Sequence, residues 1–229
     1  MEKISIIIPV YNEAANIGIL LERLQKATTH IPHEILVVDG GSMDDTQRIA
    51  AQAGATVLQS PQRGRMHQMN YGAMQASGDL LYFVHADTLP PSSFVNDIKQ
   101  ALNEGYPIGC YRFEFNSDRK ILKLNAWFTR FDKMWCRGGD QTLFVTRQLF
   151  DELNGYCPEH KIMEEYDFIR RARETHPFKI MPKAVLVSAR KYENNGYLKV
   201  QIANLVVFNM YRFGASQDRM VQFYRKMLG

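Results

Sequence analysis

The stretch Leu80-Leu81-Tyr82-Phe83-Val84-His85-Ala86-Asp87-Thr88 carries the strongest structural signal in the chain. An apolar run of strand length ends abruptly in a His-x-Asp pair, which places two polar side chains at the carboxyl end of a buried strand. In open α/β sheets, ligands bind at this edge. Carboxylate oxygen suits Mg²⁺ or Mn²⁺ beside a diphosphate, although a pair that only caps a loop would produce the same pattern.

The sequence around this stretch alternates between apolar strands and amphipathic helices. Strands are predicted at 4–10, 34–38, 55–58 and 80–84, each followed by a helical pattern. This rhythm predicts a mostly parallel, Rossmann-like sheet with helices on both faces. Further along, an alternating pattern over 108–115 predicts a half-buried strand, and short strands are expected at 142–145 and 184–187. No linker, low-complexity tract or internal repeat interrupts the chain, which predicts a single α/β domain.

Composition limits the function classes. Hydrophobic residues make up 45% of the chain and charged residues 23%, as in ordinary soluble proteins. A net charge of +4 is too small to indicate nucleic-acid binding, but it is compatible with an anionic small substrate or a membrane surface. Three separate cysteines, no signal peptide and no apolar stretch of roughly 18 residues predict a cytoplasmic protein that does not cross the bilayer.

A helix predicted over 196–213 has an unusually broad apolar stripe, with Lys and Arg residues in and around it. Such a stripe packs either on the domain or a second copy of the chain, or it lies in a membrane interface. Both alternatives remain open at the level of sequence.

Three acidic residues follow predicted parallel strands: Glu13, Asp39 and Asp87. Because the carboxyl ends of such strands share one edge, we expect these side chains around one crevice. Three acids there are costly unless hydrogen-bond donors or a cation offset them. Turn formation at Asp39 and first-turn helix charge at Glu13 are the simpler explanations for each residue alone.

Three further segments have residues suited to ligand binding. Gly64 with Arg65 begins a predicted helix whose amino end could receive a phosphate, although a solvated basic turn has the same sequence. The acidic helix start at 164–167 indicates either a general base or a simple match to the helix dipole. The glycine-rich segment 138–141 is either a plain turn or a place where the backbone approaches a ligand.

In combination, these motifs resemble family 2 of the glycosyltransferases, the inverting enzymes with a GT-A fold. The resemblance rests on residues 6–13 (IIIPVYNE), 37–46 (VVDGGSMDDT) and 83–88 (FVHADT), in the order and spacing of the family. Segments 64–73 and 139–141 resemble a bacterial subgroup of small, single-domain members. The resemblance implies one GT-A domain over 1–229, with a nucleotide-binding half at 1–105, an acceptor-binding half at 106–190 and C-terminal helices at 191–229.

Residue roles are implied by position within these motifs. Asp87 would bind Mg²⁺ or Mn²⁺, and Glu165, which matches the acid of the family's Glu-Asp pair, would be the catalytic base. Residues implied to bind the nucleotide or substrate are Pro9, Tyr11, Glu13, Asp39, Arg65, Asn70, His85, Ala86, Asp87, Gly139, Asp140 and Gln141. Two departures stand out: His85 replaces the first Asp of the DxD motif, and Glu165 is one methylene longer than the usual Asp.

The expected activity is therefore metal-dependent, hexosyltransferase-like transfer of a sugar from a nucleotide diphosphate, by resemblance UDP, to an acceptor hydroxyl with inversion. The acceptor remains open between a lipid carrier, a glycan and a small molecule. Peripheral contact with the inner face of the membrane, or a homodimer through the C-terminal helix, is compatible with the sequence. Two rivals are a sugar nucleotidyltransferase, which usually has a glycine-rich loop where residues 11–14 stand, and a non-catalytic nucleotide-sugar-binding partner protein.

Overall fold

The computed structural model describes residues 1–138 and 140–228, and an eight-stranded sheet runs through them. The strand order is β3-β2-β1-β4-β7-β6-β8-β5. The strands are β1 Ile4–Val10, β2 His33–Asp39, β3 Thr56–Gln59, β4 Leu80–Phe83, β5 Thr88–Leu89, β6 Ile108–Phe115, β7 Leu143–Thr146 and β8 Phe178–Val187.

Helices cover both faces of this sheet. They are α1 Ala14–Thr28, α2 Thr46–Gln52, α3 Arg65–Gln75, α4 Phe94–Asn103, α5 Lys120–Trp127, α6 Arg147–Glu152, α7 Glu164–Thr175, α8 Arg190–Asn195, α9 Tyr197–Arg212 and α10 Gln217–Leu228, with 3-10 helices at Phe128–Arg130, Met134–Cys136 and Gly139–Gln141. All seven residues of β1 are buried, since its side chains alternate between two hydrophobic cores, with Ile6 and Ile8 in one and Ile7 in the other.

The first four predicted strands form a parallel unit. Strand β1 lies between β2 and β4 and pairs parallel with both, while β3 pairs parallel with β2. Val10 is in register with Asp39, so the chain leaves β1 and β2 at the same edge. Strand β4 ends nearby, with Phe83 beside Ile7. The predicted parallel core is thereby confirmed, and the segments after these three strands emerge together.

The second half differs from the sequence prediction in two places. Residues Ile108 to Tyr111 of β6 are all buried instead of alternating, because β6 pairs with both β7 and β8. Strand β8 begins at Phe178, six residues before the predicted start at Ala184. A register shift between Tyr111 and Arg112 accommodates the exposed Pro182, which interrupted the apolar pattern in the sequence.

The C-terminal helix predicted over 196–213 forms as α9, and α10 packs against it. Among the described helices, none has the combination of length and apolarity required to cross a membrane.

Candidate active site

The segments that leave β1 and β4 open into a cavity of about 890 Å³. One wall comes from the strand ends and includes Pro9, Tyr11, Glu13, Ala86 and Asp87. Another part of the wall comes from the second half of the chain. It contributes, among others, Trp135, Arg137, Asp140, Glu165, Tyr166 and Tyr192. The cavity therefore lies at the sheet edge where the sequence predicted ligand binding.

Asp39 organises this edge without lining the cavity. It is fully buried, and its carboxylate accepts hydrogen bonds from the backbone N–H groups of Gly41 and Ser42 and from the Gln47 side chain. The following loop is tied to the loop after β1, since Asn12 accepts a hydrogen bond from the Met43 N–H at 2.9 Å. These contacts match the turn-forming alternative for Asp39, and a direct contact between Asp39 and a nucleoside stays a prediction.

Glu13 faces the cavity and has a cationic partner that the sequence analysis missed. Its Oε1 atom lies 3.0 Å from a guanidinium nitrogen of Arg190, the first residue of α8. Arg190 follows β8, 177 positions further along the chain, so only the sheet topology brings the two residues together. In the sequence, the only indication of Arg190 was that a basic residue follows closely after a predicted strand.

Glu165 lies at the centre of a charged cluster, as the second residue of α7 and only 6% exposed. A terminal guanidinium nitrogen of Arg65 is 3.6 Å from its Oε2 atom, and His85 Nε2 is 3.1 Å from its Oε1 atom. Burial favours the protonated acid, but Arg65 and His85 outweigh burial and lower the pKa of Glu165 below its usual value. The carboxylate is therefore ionised at neutral pH, as a proton acceptor must be.

The backbone at two helix starts sets the positions of these groups. Gly64, with φ of +123°, immediately precedes Arg65 in a region that favours glycine. Met163 precedes α7 with φ of +66°, a conformation that is uncommon for a residue with a side chain. Arg65 is also held by Glu164, whose Oε1 accepts from Arg65 Nε at 2.6 Å. Glu164 is buried and lies outside the cavity wall.

Asp87 is the acidic residue of the cavity that fits a metal. It is half-buried, and among the described residues its carboxylate accepts no hydrogen bond and has no cation within 4.0 Å. Burial, followed by repulsion from Asp140, raises the pKa of Asp87 above its usual value. No group of three His, Cys, Asp or Glu side chains suited to a metal occurs in the described part of the chain. A single carboxylate nevertheless fits Mg²⁺ or Mn²⁺, because such ions are commonly held by one or two carboxylates plus substrate phosphates.

The remaining predicted residues divide between the cavity and its support. Asp140 Oδ1 lies 3.9 Å from His85 Nδ1 on the cavity wall. Asn70 and Gln141 are not brought to that wall: Asn70 makes two hydrogen bonds with the backbone of Tyr156, and Gln141 donates to the carbonyl of Tyr111. Ligand contacts by these two residues stay predictions, and Gly139 lies outside the described residues.

Part of the cavity wall was missed by the sequence analysis. It comes from α5, the 3-10 helices and α9, and includes Leu124, Phe128, Trp135, Gln201, Leu205 and Phe208. Gln201, Leu205 and Phe208 lie in the helix predicted over 196–213, for which the sequence left packing on protein and contact with a membrane as open alternatives. No part of the sequence analysis placed these residues beside the strand ends.

Comparisons with known proteins bear on the family and the fold of this chain. Residues 5–162 match the family model described as Glycosyl transferase family 2. An undecaprenyl-phosphate 4-deoxy-4-formamido-L-arabinose transferase from Yersinia enterocolitica is 32% identical over 117 residues, which cover 47% of this chain and 36% of the relative. Glycosyltransferase AglE from Haloferax volcanii is 38% identical over 94 residues, covering 38% of this chain and 31% of AglE. The match thus spans about a third of these relatives' length.

Solved structures resemble the fold over almost the whole chain. S. aureus TarS 1-349 in complex with UDP-GlcNAc superimposes with a TM-score of 0.68 at 19% identity, covering 99% of this chain and 71% of TarS. Glucosyl-3-phosphoglycerate synthase from Mycobacterium tuberculosis, in complex with Mn²⁺, UDP and glucosyl-3-phosphoglycerate, gives 0.64 at 17% identity, covering 93% and 81%. The expected GT-A fold is confirmed. With the family match extending over more than half of its length, the chain belongs to glycosyl transferase family 2.

Proposed function

We propose that this glycosyltransferase moves a sugar from UDP to an acceptor hydroxyl, with inversion and with Glu165 as the base. The observation that carries the proposal is that Glu165, buried and ionised, lines the same cavity as Asp87, the acid without a partner among the described residues. This supports a base and a metal ligand that would lie where donor and acceptor meet.

The donor would occupy the side formed by the strand ends. Two solved structures with this fold contain UDP or UDP-GlcNAc, and one of those complexes also contains Mn²⁺, which supports a uridine diphosphate donor and a divalent cation. Asp87 would hold the cation, which would neutralise charge on the departing diphosphate. Pro9, Tyr11 and Glu13 would contact the nucleoside, and Arg190 would hold the Glu13 side chain in place.

Glu165 would take the acceptor's hydroxyl proton as the oxygen attacks the anomeric carbon from the face opposite the diphosphate. A carboxylate with a strongly lowered pKa is a weak base, so the contact with Arg65 has a cost for catalysis. A diphosphate that draws Arg65 toward itself would weaken this contact and raise the basicity of Glu165. Donor binding would in that way activate the base.

His85 would act on the same carboxylate. Its Nε2 atom is within hydrogen-bond distance of Glu165, and its Nδ1 atom faces Asp140. An aspartate here, as in the usual DxD motif, would add a negative charge between two others, which the neutral or protonated imidazole avoids. His85 would therefore orient Glu165 and still border the donor sugar.

The test is a donor screen with purified protein. UDP-sugars are incubated with Mn²⁺ or with EDTA, UDP release is measured, and the anomeric configuration of the product is read by NMR. We expect metal-dependent UDP release and an inverted product, with both lost in Glu165→Gln while UDP binding by calorimetry is retained. Pyrophosphate release from UTP and a sugar phosphate, or a product with retained configuration, would overturn the proposal.

A further inference from the structure

Two surface segments contain most of the exposed large hydrophobic side chains among the described residues. We call them the rim segments: residues 118–135, which contain α5, one 3-10 helix and the start of a second, and residues 197–213, which contain α9. They hold nine of the fifteen exposed large hydrophobic side chains found among the described residues. These nine are Ile121, Leu124, Trp127, Phe131, Trp135, Leu198, Ile202, Leu205 and Phe213.

Both rim segments border the mouth of the same cavity. Leu124 and Trp135 from the first segment and Leu205 from the second are exposed to solvent, at 52%, 55% and 62%, and also line the cavity. Side chains that are exposed to solvent and also line the cavity lie at its opening. The apolar surface is therefore arranged around the entrance to the active site.

Helix α9 has two apolar faces. Val200, Ala203 and Val207 are buried against the domain, while Leu198 and Ile202 point to solvent on another side. A helix that is apolar on most sides is normally covered on most sides. The sequence left open whether this helix packs on protein or on a membrane, and the structure leaves one apolar face for a second contact.

The net charge of the rim segments favours one kind of binding partner for this apolar surface. Residues 118–135 contain five basic and two acidic side chains, and residues 197–213 contain two basic and no acidic ones. The rim segments thus have a net charge of +5 in a chain of net charge +4, so the remainder is close to neutral at −1. In the first segment all five basic side chains are exposed: Arg119, Lys120, Lys123, Arg130 and Lys133.

We propose that the rim segments dock on the surface of an anionic lipid bilayer, with the cavity mouth turned toward the lipid. Exposed Trp and Leu beside Lys and Arg is the pattern of surfaces that insert into the headgroup region and bind anionic lipids. A symmetric contact between two copies would instead place +5 against +5. The docking is peripheral, and the whole rim, not α9 alone, forms the contact.

The docking has a consequence for the acceptor, and this consequence rests on the proposed function. With its mouth against the bilayer, the cavity receives an acceptor that is anchored in lipid, while the donor nucleotide is soluble. Vesicle binding does not depend on turnover, so failure of the docking and failure of the proposed transfer reaction are distinguishable.

The chain supplies its own probe, because both of its tryptophans, Trp127 and Trp135, lie in the first rim segment. Purified protein is mixed with vesicles of phosphatidylcholine alone or of equal parts phosphatidylcholine and phosphatidylglycerol. Flotation measures binding, and brominated phosphatidylcholine tests whether the tryptophans reach the acyl chains. We expect flotation and quenching with the mixed vesicles and little of either with the neutral ones.

Matched pairs of variants locate the contact. Leu198→Gln with Ile202→Gln, and separately Lys120→Gln with Lys123→Gln, change exposed rim side chains outside the cavity wall. Each pair should lower vesicle affinity by about tenfold or more. The controls are Ile19→Gln with Met74→Gln for apolar loss and Lys26→Gln with Lys161→Gln for charge loss, all exposed and outside the rim.

The outcomes decide the matter. Loss of vesicle binding in the rim variants alone, with unchanged thermal unfolding and UDP affinity, supports the proposal. Equal loss in the control variants, or absence of flotation with mixed vesicles, overturns it. A lipid-free dimer in analytical ultracentrifugation that dissociates in Leu198→Gln with Ile202→Gln also overturns it, in favour of a second copy of the chain.

Discussion

Replacement of Glu165 by Gln tests the proposed base most directly. Gln keeps the size of the side chain and can still pair with His85, but it cannot accept the acceptor's proton. Arg65 is not left alone, because Glu164 Oε1 accepts from its Nε at 2.6 Å, the shorter of the two contacts. The variant should therefore fold and bind UDP with nearly unchanged affinity.

The size of the effect follows from the role of the base. A positioned general base contributes about 100- to 10,000-fold to a rate, which at about 1.4 kcal/mol per factor of ten is roughly 3–5 kcal/mol of activation free energy. We expect kcat for UDP release in the presence of acceptor to fall by that factor. Calorimetry for UDP and a thermal unfolding curve would verify that binding and folding persist.

Glu164→Gln is the matched control, since the two acids are neighbours at the start of α7 and both contact Arg65. Glu164 lies outside the cavity wall, so its replacement should cost stability but reduce kcat far less than Glu165→Gln does. Turnover retained in Glu165→Gln, or an equal loss of kcat in both variants, would refute the assignment of the base.

Three further changes probe the groups around the base. Asp87→Asn should weaken UDP binding in the presence of Mn²⁺ and leave metal-free binding unchanged; an unaltered Mn²⁺ titration in calorimetry would contradict its role as ligand. Arg65→Gln removes the cation that lowers the pKa of Glu165, so the acidic limb of the kcat profile should move to higher pH, and Arg65→Lys should move it less. Asn70→Ala leaves two backbone groups of Tyr156 without partners and should lower the free energy of unfolding in urea by about 1–3 kcal/mol per unpaired group. A concurrent loss of UDP affinity in the Asn70 variant would indicate direct ligand contact.

The parallel half of the fold was predictable because its signals are local. Each buried strand contains a short, mostly apolar run, and the turn residues that follow it mark the edge where ligands bind in such sheets. The second half was less predictable: β8 contains Pro182 and exposed residues, and its pairing with β6 on one side and β5 on the other holds it in the sheet. Strand pairing of this kind depends on contacts between residues distant in sequence. The spacing of apolar residues within one segment gives no information about such contacts.

The same distinction applies to the site. The sequence drew attention to Glu13 and Asp87 because each follows a predicted strand, and to Glu165 because it begins a helix and matches an acid of the family motif; the three line one cavity. It missed Arg190, since no local pattern relates the start of α8 to the start of α1. For Asp39, the contacts match the turn-forming explanation. Its buried carboxylate accepts hydrogen bonds from the N–H groups of the loop that follows the strand.

The cost of placing several acids in one crevice explains how the site is built. The sequence predicted that hydrogen-bond donors or cations offset the charges of these acids. In the structure, the acids differ in the partners that they have. Glu13 has Arg190, and Glu165 has Arg65 and His85. Asp87 has a raised pKa and no such partner among the described residues. Under the proposed function, a cation bound to the donor's diphosphate would offset its charge, and this would place the donor beside the unpaired acid Asp87 and the acceptor beside the paired acid Glu165.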